Sequence, residues 1–442
     1  MKISRLPATP RETLSMSGLL AFILKVFFKG ADLFGFRKYP LKNASADFED
    51  WTLLQKISWV YKSKNPIVKA EKGSGLEKFF KNNCEIIKLP EGFKKKSSFS
   101  FAAAGDLYKV DGMENSKNLL YEDVAEILFE QDISYANLES QLTKQESGNI
   151  IFDTKETPPL CCTKEQFDAL KGHKEKKYTL MHTACNHTLD MGEEGVETTL
   201  EQLELEGIVD IGTNREVKEQ HQGRIIEKNG IKTGFVSATF GLNGKEVPEG
   251  KGYLVNVVKF HRKDGKPDLT LLENQITHCR KQGCDLIIAS LHWGYEYEFF
   301  PRKHQVKLAH KIIESGADII VAHHAHVIQP VEYYRTRRDP DRIAVIAYSL
   351  GNLTTFFSAP HLVLSQVLNL SAAKGVFNGR ARTYIESAEV IPVMQVESES
   401  AGLPVVRIKK LSDMIKQVEK NAVEEEEEYL AKVAGYANLV FG

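Results

Sequence analysis

The sequence predicts an α/β fold, on three observations. From Ser98 onward, short apolar runs of strand length alternate with stretches of helical periodicity, a pattern that packs helices on a buried sheet. Hydrophobic residues are 42% of the chain and charged residues 26%, the usage of a folded soluble protein, which excludes global disorder and a polytopic membrane protein. Residues able to do chemistry recur just after the predicted strands, where ligands collect in open α/β sheets. The 442 residues suffice for roughly two to three ordinary domains, or one large α/β domain with additions. The 58 Lys and Arg nearly balance 59 Asp and Glu. No whole-chain field draws nucleic acid, and no nucleic-acid partner is expected.

Residues 1–97 read as a partly helical N-terminal extension, Lys-rich and aromatic, ending in Phe93-Lys94-Lys95-Lys96-Ser97. The uncharged stretch Leu14–Leu24 is well short of the roughly 20 apolar residues a spanning helix needs. Lys25 and Lys29 interrupt what would be the apolar region of a signal peptide. As a helix, residues 19–36 put Leu20, Ile23, Leu24, Phe27, Phe28 and Ala31 on one face, with Lys25, Lys29 and Asp32 opposite. That suits peripheral membrane contact, and equally a helix docked on its own domain. The expected location is cytoplasmic or peripheral to a membrane.

The main domain is expected over 98–405. Strands are predicted at Ser98–Ala104, Ile133–Leu138, Tyr178–Ala184, Ile231–Ala238, Asp285–Leu291, Asp318–Ala322 and Ile343–Ser349. Helices are predicted at Asn118–Glu130, Val196–Glu206, Leu271–Gln282 and Gln305–Ser315, with Gly207 able to end the second of these in a left-handed cap. Residues 406–442 read as a C-terminal acidic helix starting near Ser412, its run Glu424–Glu428 forming a solvated face. The six cysteines contain no C-x-x-C pair, so neither a zinc ribbon nor a thioredoxin-like motif is supported, and reduced thiols are expected.

Gly105-Asp106 follows the first predicted strand, and Asn137-Leu138-Glu139 closes the next. Cys185-Asn186-His187, with Asp190 and Gly192, follows the third. His292-Trp293-Gly294, His323-His324-Ala325-His326 and Ser349-Leu350-Gly351-Asn352 mark later strand ends. Singly, each has a plain structural explanation: an Asp after Gly shapes a turn, Asn-His bonds a loop, and His-Trp-Gly buries a histidine. Together they gather carboxylate, amide oxygen and imidazole at one sheet edge, and adjacent imidazoles repel when charged and favour a metal. Such donors suit zinc, manganese or iron, and not a structural thiolate site. They are enough for two divalent ions, a pair that lowers the pKa of water and binds phosphoryl or carbonyl oxygens. A histidine outside the ligand set would protonate the leaving group.

This ordered set resembles the CapA family of capsule and poly-γ-glutamate biosynthesis proteins, within the metallophosphatase-like superfamily. The residues carrying the resemblance are Gly105-Asp106, Asp132 through Asn137-Leu138-Glu139, and Ala184-Cys185-Asn186-His187 with Asp190 and Gly192. They continue through Thr199-Leu200, Gly207-Ile208 and Gly212 to His292-Trp293-Gly294-Tyr295-Glu296-Tyr297. Gly316-Ala317-Asp318, His323-His324-Ala325-His326-Val327 and Tyr348-Ser349-Leu350-Gly351-Asn352 complete it. The resemblance implies a four-layer α/β/β/α fold of the calcineurin-like phosphoesterase type. It also implies Asp106, Glu139, Asn186, His292, His324 and His326 as metal ligands and His187 as general acid. Asn137, Asp190, His323, Glu296 and Asn352 fall behind the ligands or against substrate. The sequence departs from the wider superfamily at Asp106-Leu107-Tyr108, where Asp-x-His is usual. Cys185 replaces the family's usual Asn, and Ala322 and Ala325 replace a Gly and a Pro.

Three functions are compatible with this reading. The first is a hydrolase of γ-glutamyl amide bonds in capsule or poly-γ-glutamate metabolism, using two divalent ions. The second is a metal-dependent phosphoesterase. The third is a non-catalytic component that binds an anionic polymer or scaffolds a capsule synthesis complex. The expected partner is an anionic polymer or a small-molecule substrate. Arg335, Arg337 and Arg338 are candidate carboxylate binders, and equally residues of a solvated loop.

Overall fold

The structure is a computed structural model that describes residues 6–13, 38–83, 85–144, 159–261, 266–421 and 424–442. The predicted amphipathic segment 19–36 lies outside them. Two sheets stack face to face. The first contains β1 (Lys94–Leu107), β2 (Ile133–Leu138), β3 (Leu180–His182) and β4 (Val209–Ile211). The second contains β5 (Arg224–Lys228), β6 (Ile231–Thr239), β7 (Leu286–His292), β8 (Ile319–His323), β9 (Val331–Arg335) and β10 (Ile343–Ala347). The chain then returns to the first sheet through β11 (Leu364–Phe377), β12 (Arg380–Ser400) and β13 (Leu403–Lys410). Strand order is β13-β12-β11-β1-β2-β3-β4 in the first sheet and β9-β10-β8-β7-β6-β5 in the second.

Strands β1 to β4 are parallel, as are β6, β7, β8 and β10. Covered on both faces, these inner strands read as continuous apolar runs, Ile319-Ile320-Val321-Ala322 being one. Phe101, Tyr135 and Leu180 of one sheet meet Phe235, Ile288 and Ile319 of the other in the core between them. Helices α3 (Ala125–Phe129) and α4 (Lys164–Leu170) cover the outer face of the first sheet through Leu128 and Phe167. Those of the second sheet, α6 (Thr270–Lys281) and α7 (Lys303–Glu314), bring Ile276, Leu308 and Ile312. The result is helix, sheet, sheet, helix, the four-layer arrangement of the expected fold.

This stacking sets the carboxyl ends of both parallel sets on one edge. Asp106 pairs in register with Asn137, and Asn137 with His182. In the second sheet Thr239 pairs with His292, and His292 with His323. Gly105 is required here: a Cβ on it would stand 2.1 Å from the Gly351 carbonyl oxygen, so only glycine lets the first strand approach the Gly351-Asn352 turn.

Several expectations are corrected. The helix predicted over Asn118–Glu130 is reduced to Ala125–Phe129, because Asn118 adopts a left-handed backbone, φ 62°, and buried turns carry Leu120, Tyr121 and Val124. Lys94–Ser97, assigned to the extension, already belongs to β1 and pairs with β11. The strands β11 to β13 were not anticipated, and β13 runs through the expected boundary at 405. The acidic C-terminal segment is not merely solvated: α9 (Glu424–Phe441), which follows α8 (Leu411–Asn421), buries Leu430, Val433 and Ala437, and its Tyr436 stacks on Phe299. Before β1 lie α1 (Leu53–Lys64), opened by a Thr52–Gln55 capping box, and α2 (Leu76–Lys81). This region contributes Ala46, Ala70 and Leu76 to the core. Between α4 and α6 lies α5 (Gly192–Glu206). Among the described residues no helix is long and apolar enough to cross a membrane.

Candidate metal centre

The residues gathered at the shared edge form two adjoining groups. Asp106, Glu139 and His292, all buried, each offer a ligand atom, and these atoms lie within 4.8 Å of one another; so do those of Glu296, His324 and His326. The groups meet where Asp106 Oδ2 stands 3.6 Å from His326 Nδ1 and the His292 and His324 rings are 5.0 Å apart. Two ligand positions sit on left-handed backbone, His324 at φ 89° and His326 at φ 55°. Such conformations cost of order 1–3 kcal/mol each and cluster at functional sites.

Asp106 is held from several sides. Asn137 Nδ2 donates to its Oδ1 at 2.9 Å, and His323 Nδ1 lies 2.7 Å from the same oxygen. The far side of His323 faces the Tyr135 hydroxyl at 2.7 Å from Nε2, so Asp106, His323 and Tyr135 form a buried chain behind the centre. Burial disfavours the Asp106 charge, but His323 and His326 outweigh it and hold the carboxyl well below its usual range. Glu139 goes the other way: burial, then the Asp106 charge, push it well above the carboxylate range. His292 Nε2 is 3.6 Å from Glu139 Oε1 and 2.7 Å from Asn186 Oδ1.

In the second group His326 Nε2 lies 3.6 Å from Glu296 Oε1. Its Nδ1 is 3.1 Å from Asn352 Oδ1, and the Tyr108 hydroxyl is 3.1 and 3.2 Å from the two ring nitrogens. Burial opposes the charged His326 ring, yet Glu139, Asp106 and Glu296 raise it well above the ordinary histidine value. Burial also opposes the Glu296 charge, but the His326 and His324 rings bring its pKa down to about 2. Burial is the main cause holding His324 at about 3.

The donor set fits divalent cations. Both carboxylate oxygens of Glu139 and Nδ1 of His324 are buried without a hydrogen-bond partner among the described residues. The Tyr108 phenol is close to Glu139, but outside hydrogen-bond geometry. A buried carboxylate with no donor is costly unless a cation or proton meets it. Here it faces an imidazole nitrogen and the Asn186 amide oxygen, both able to bind a metal. Oxygen and imidazole donors in this mixture suit zinc, manganese or iron.

His187 stands beside the centre. Its Nδ1 is 2.6 Å from Asp190 Oδ2, which fixes the proton on Nδ1 and frees Nε2. Asn243 Nδ2 approaches that Nε2 at 3.5 Å and accepts, through Oδ1, from Asn186 Nδ2 at 3.1 Å. Lys245 Nζ is 3.5 Å from Asp190 Oδ1. His187 is thus oriented and coupled to a ligand position while remaining outside both groups.

The six implied ligands all lie at this edge, together with Asn137, His323 and Asn352. Glu296, expected behind the ligands or against substrate, stands with His324 and His326 in the second candidate group. Sequence reasoning gave no site role to Tyr108, Tyr135 or His182; His182 lies near the end of the predicted strand Tyr178–Ala184, and that placement was the available signal. The arginine expectation is corrected. Arg335 pairs with Glu85 at 2.7 Å and Arg338 with Asp318 at 2.7 Å, while the Arg337 amide donates to Glu314 at 2.7 Å. Asp318 precedes β8 and His323 ends it, so these arginines belong to the opposite edge.

The family described as bacterial capsule synthesis protein PGA_cap matches residues 100–356, more than half of the chain. The PGA biosynthesis protein CapA of Bacillus subtilis (strain 168) is 29% identical over 185 residues, covering 42% of this chain and 44% of that protein. The capsule biosynthesis protein CapA of Bacillus anthracis is 27% identical over 190 residues, 42% of each chain. The chain spans less than half the length of these curated relatives. A calcineurin-like phosphoesterase of Bacillus subtilis, YfkN, is similar in structure over 75% of this chain and 99% of that chain, at 14% identity and a TM-score of 0.35.

Proposed function

This chain belongs to the bacterial capsule synthesis protein family, and we propose that it is a hydrolase of γ-glutamyl amide bonds in capsule polymer metabolism, working with two divalent metal ions. The observation that carries this reading is the buried carboxylate of Glu139, left without donors among Asp106, Asn186 and His292. Asp106, Glu139, Asn186 and His292 would hold one ion, and Glu296, His324 and His326 the other. When bound, the ions supply Lewis acidity toward the scissile carbonyl and an ionised water near neutral pH.

The chain's own residues supply the rest. Asp190 accepts from His187 Nδ1, which leaves Nε2 as the atom from which the protonated ring gives its proton to the departing amine nitrogen. Asn243 and Asn186 link that ring to the ligand set, so the donor keeps a fixed place relative to the carbonyl. The chain Asp106–His323–Tyr135 keeps Asp106 ionised and in place from behind. An anionic polymer is the partner this reading implies.

The test is cleavage of γ-glutamyl oligomers by protein loaded with manganese, zinc or iron, beside His187→Ala. The wild type is expected to release shorter oligomers. The variant is expected to keep its metal and lose about 10²-fold or more in rate. Metal-loaded wild type that leaves the oligomers intact at micromolar enzyme would sink the amide-hydrolysis reading.

A further inference from the structure

Beyond the family-matched region, α1 and the residues around it dock against the second ligand group. The docking follows the loop after β7 residue by residue. The Trp59 indole N–H donates to Glu296 Oε2. Lys62 Nζ lies 3.2 Å from Glu298 Oε1, and Arg302 holds the same carboxylate at 2.9 Å. The Ile67 amide donates to the Tyr297 carbonyl at 2.8 Å, and the Phe299 amide to the Ile67 carbonyl at 2.9 Å. Trp59 and Tyr297 pack with ring centroids 6.1 Å apart, and Tyr297 itself is held at φ 60°. Burial opposes the Glu298 charge, and Arg302 and Lys62 outweigh it; this buried cluster fastens the helix beside the centre. A cavity of about 30 Å³ remains between α1 and the centre, touching Trp59, Glu296 and His324, roomy enough for a water.

We propose that Trp59 is a positioning residue of the metal centre: its indole N–H fixes the Glu296 carboxylate so that Glu296, His324 and His326 present one ligand set. The inference rests on the metal-centre reading above. Its physical basis is that one Glu296 oxygen is engaged by Trp59 while the other, Oε1, faces His326. A glutamate has three rotatable bonds, and a donor on one oxygen selects the rotamer that aims the other. Partners of this kind behind a ligand typically change metal affinity by about 10–100-fold. The segment 38–67, outside the matched family region, thereby becomes part of the site.

The experiment is a competition titration of manganese and zinc, with stoichiometry by elemental mass spectrometry, on full-length wild type, Trp59→Phe, Glu296→Gln and the double variant. Trp51→Phe is the control, because the Trp51 indole donates to the Ser45 carbonyl instead. Trp59→Phe is expected to weaken one of two binding events about tenfold and to leave the other unchanged. In the Glu296→Gln background the same change is expected to have no further effect, and Trp51→Phe none at all. Equal binding by wild type and Trp59→Phe overturns the inference alone. So does a loss that adds in full to that of Glu296→Gln, or one that Trp51→Phe reproduces. No metal uptake by wild type overturns the metal-centre reading, and this inference with it. A fluorescence titration covers the case in which Trp59→Phe folds poorly. Filling the site is expected to change tryptophan emission equally in wild type and Trp51→Phe and by less in Glu296→Gln, where the contribution of Trp293 beside His292 remains; equal changes in wild type and Glu296→Gln overturn the inference.

Discussion

Asp318 and Glu139 are both buried acids at sheet edges, and they are treated in opposite ways. Asp318, just before β8, accepts from Arg280 at 2.8 Å and the Ile287 amide at 2.9 Å on Oδ2. On Oδ1 it accepts from Arg338 at 2.7 Å and Arg342 at 3.0 Å. Burial works against its charge, but the three arginines bring its pKa down to about 2. Glu139, at the opposite edge, has no donor among the described residues, and burial with Asp106 raises it. A buried acid with every lone pair engaged is explained by structure. One left open among imidazoles and an amide oxygen calls for a cation from outside the chain.

The largest effect expected from this contrast is at the structural edge. Asp318→Ala leaves three guanidinium groups without their common partner, and breaking a buried ion pair from one side costs about 3–5 kcal/mol. Denaturant unfolding of the metal-free protein is expected to show that loss, while metal stoichiometry stays at the wild-type value in whatever fraction folds. Glu139→Gln is the opposite case. It keeps the volume and replaces a carboxyl whose charge burial and Asp106 disfavour, so the metal-free protein is expected to be no less stable than wild type. Metal affinity is expected to fall roughly a hundredfold, equivalent to about 3 kcal/mol. A destabilised Glu139→Gln protein with intact metal binding would erase the distinction between the two acids. Chelation sharpens it: EDTA is expected to lower the Tm of wild type by more than that of Glu139→Gln, which keeps the second ligand group.

A pH series reads the same contrast with a smaller amplitude. The folded pKa of Asp318 lies near 2, below its unfolded value of about 3.9. Its stabilisation is therefore complete above about pH 4 and is lost as pH falls toward 2. The whole shift corresponds to roughly 2–3 kcal/mol, of which about 2 kcal/mol is lost by pH 2, where the folded carboxyl is half protonated. The stability difference between wild type and Asp318→Asn, from denaturant midpoints, is expected to shrink by that amount between pH 5 and pH 2. A difference that stays constant over that window would mean that the arginines are not what hold the carboxylate ionised.

What the sequence made legible follows from what local pattern can encode. The inner parallel strands are apolar on both faces, so Ile133–Leu138 and Ile319–His323 were readable as runs. The polar residues that stop those runs were readable as strand ends, which located Asp106, Glu139, His292 and His324. Orientation was not legible. The arginines after the His cluster looked close to the centre, but β9 runs antiparallel to β10 and carries the chain back to the far edge. Asn118 enters the left-handed region at a position that helical periodicity cannot reveal. β12 spends much of its length half-exposed, so its sequence lacks the apolar run that marked the inner strands. Glu296 joins the candidate group of His324 and His326 through the fold of the loop after β7, and Trp59 meets it across 237 residues of chain. No window on the sequence spans that contact.

Tyr108 stands beside His326 and gives the smallest expected effect. It occupies the position where the wider superfamily has a histidine after Asp-x, and its hydroxyl reaches His326 at 3.1 Å. Burial, with the charges of Glu139 and Asp106, keeps the phenol protonated by raising its pKa well above the ordinary value. It therefore acts as a neutral hydroxyl partner for the ring. Tyr108→Phe removes one hydrogen bond and leaves the ring its contacts with Asn352 at 3.1 Å and Glu296 at 3.6 Å. The expected cost in the metal-free protein is about 1 kcal/mol, with both metal equivalents retained at less than a tenfold loss of affinity. Loss of a whole equivalent in Tyr108→Phe, measured by the same titration, would put the phenol among the ligands and move it from Asp318's side of the comparison to Glu139's.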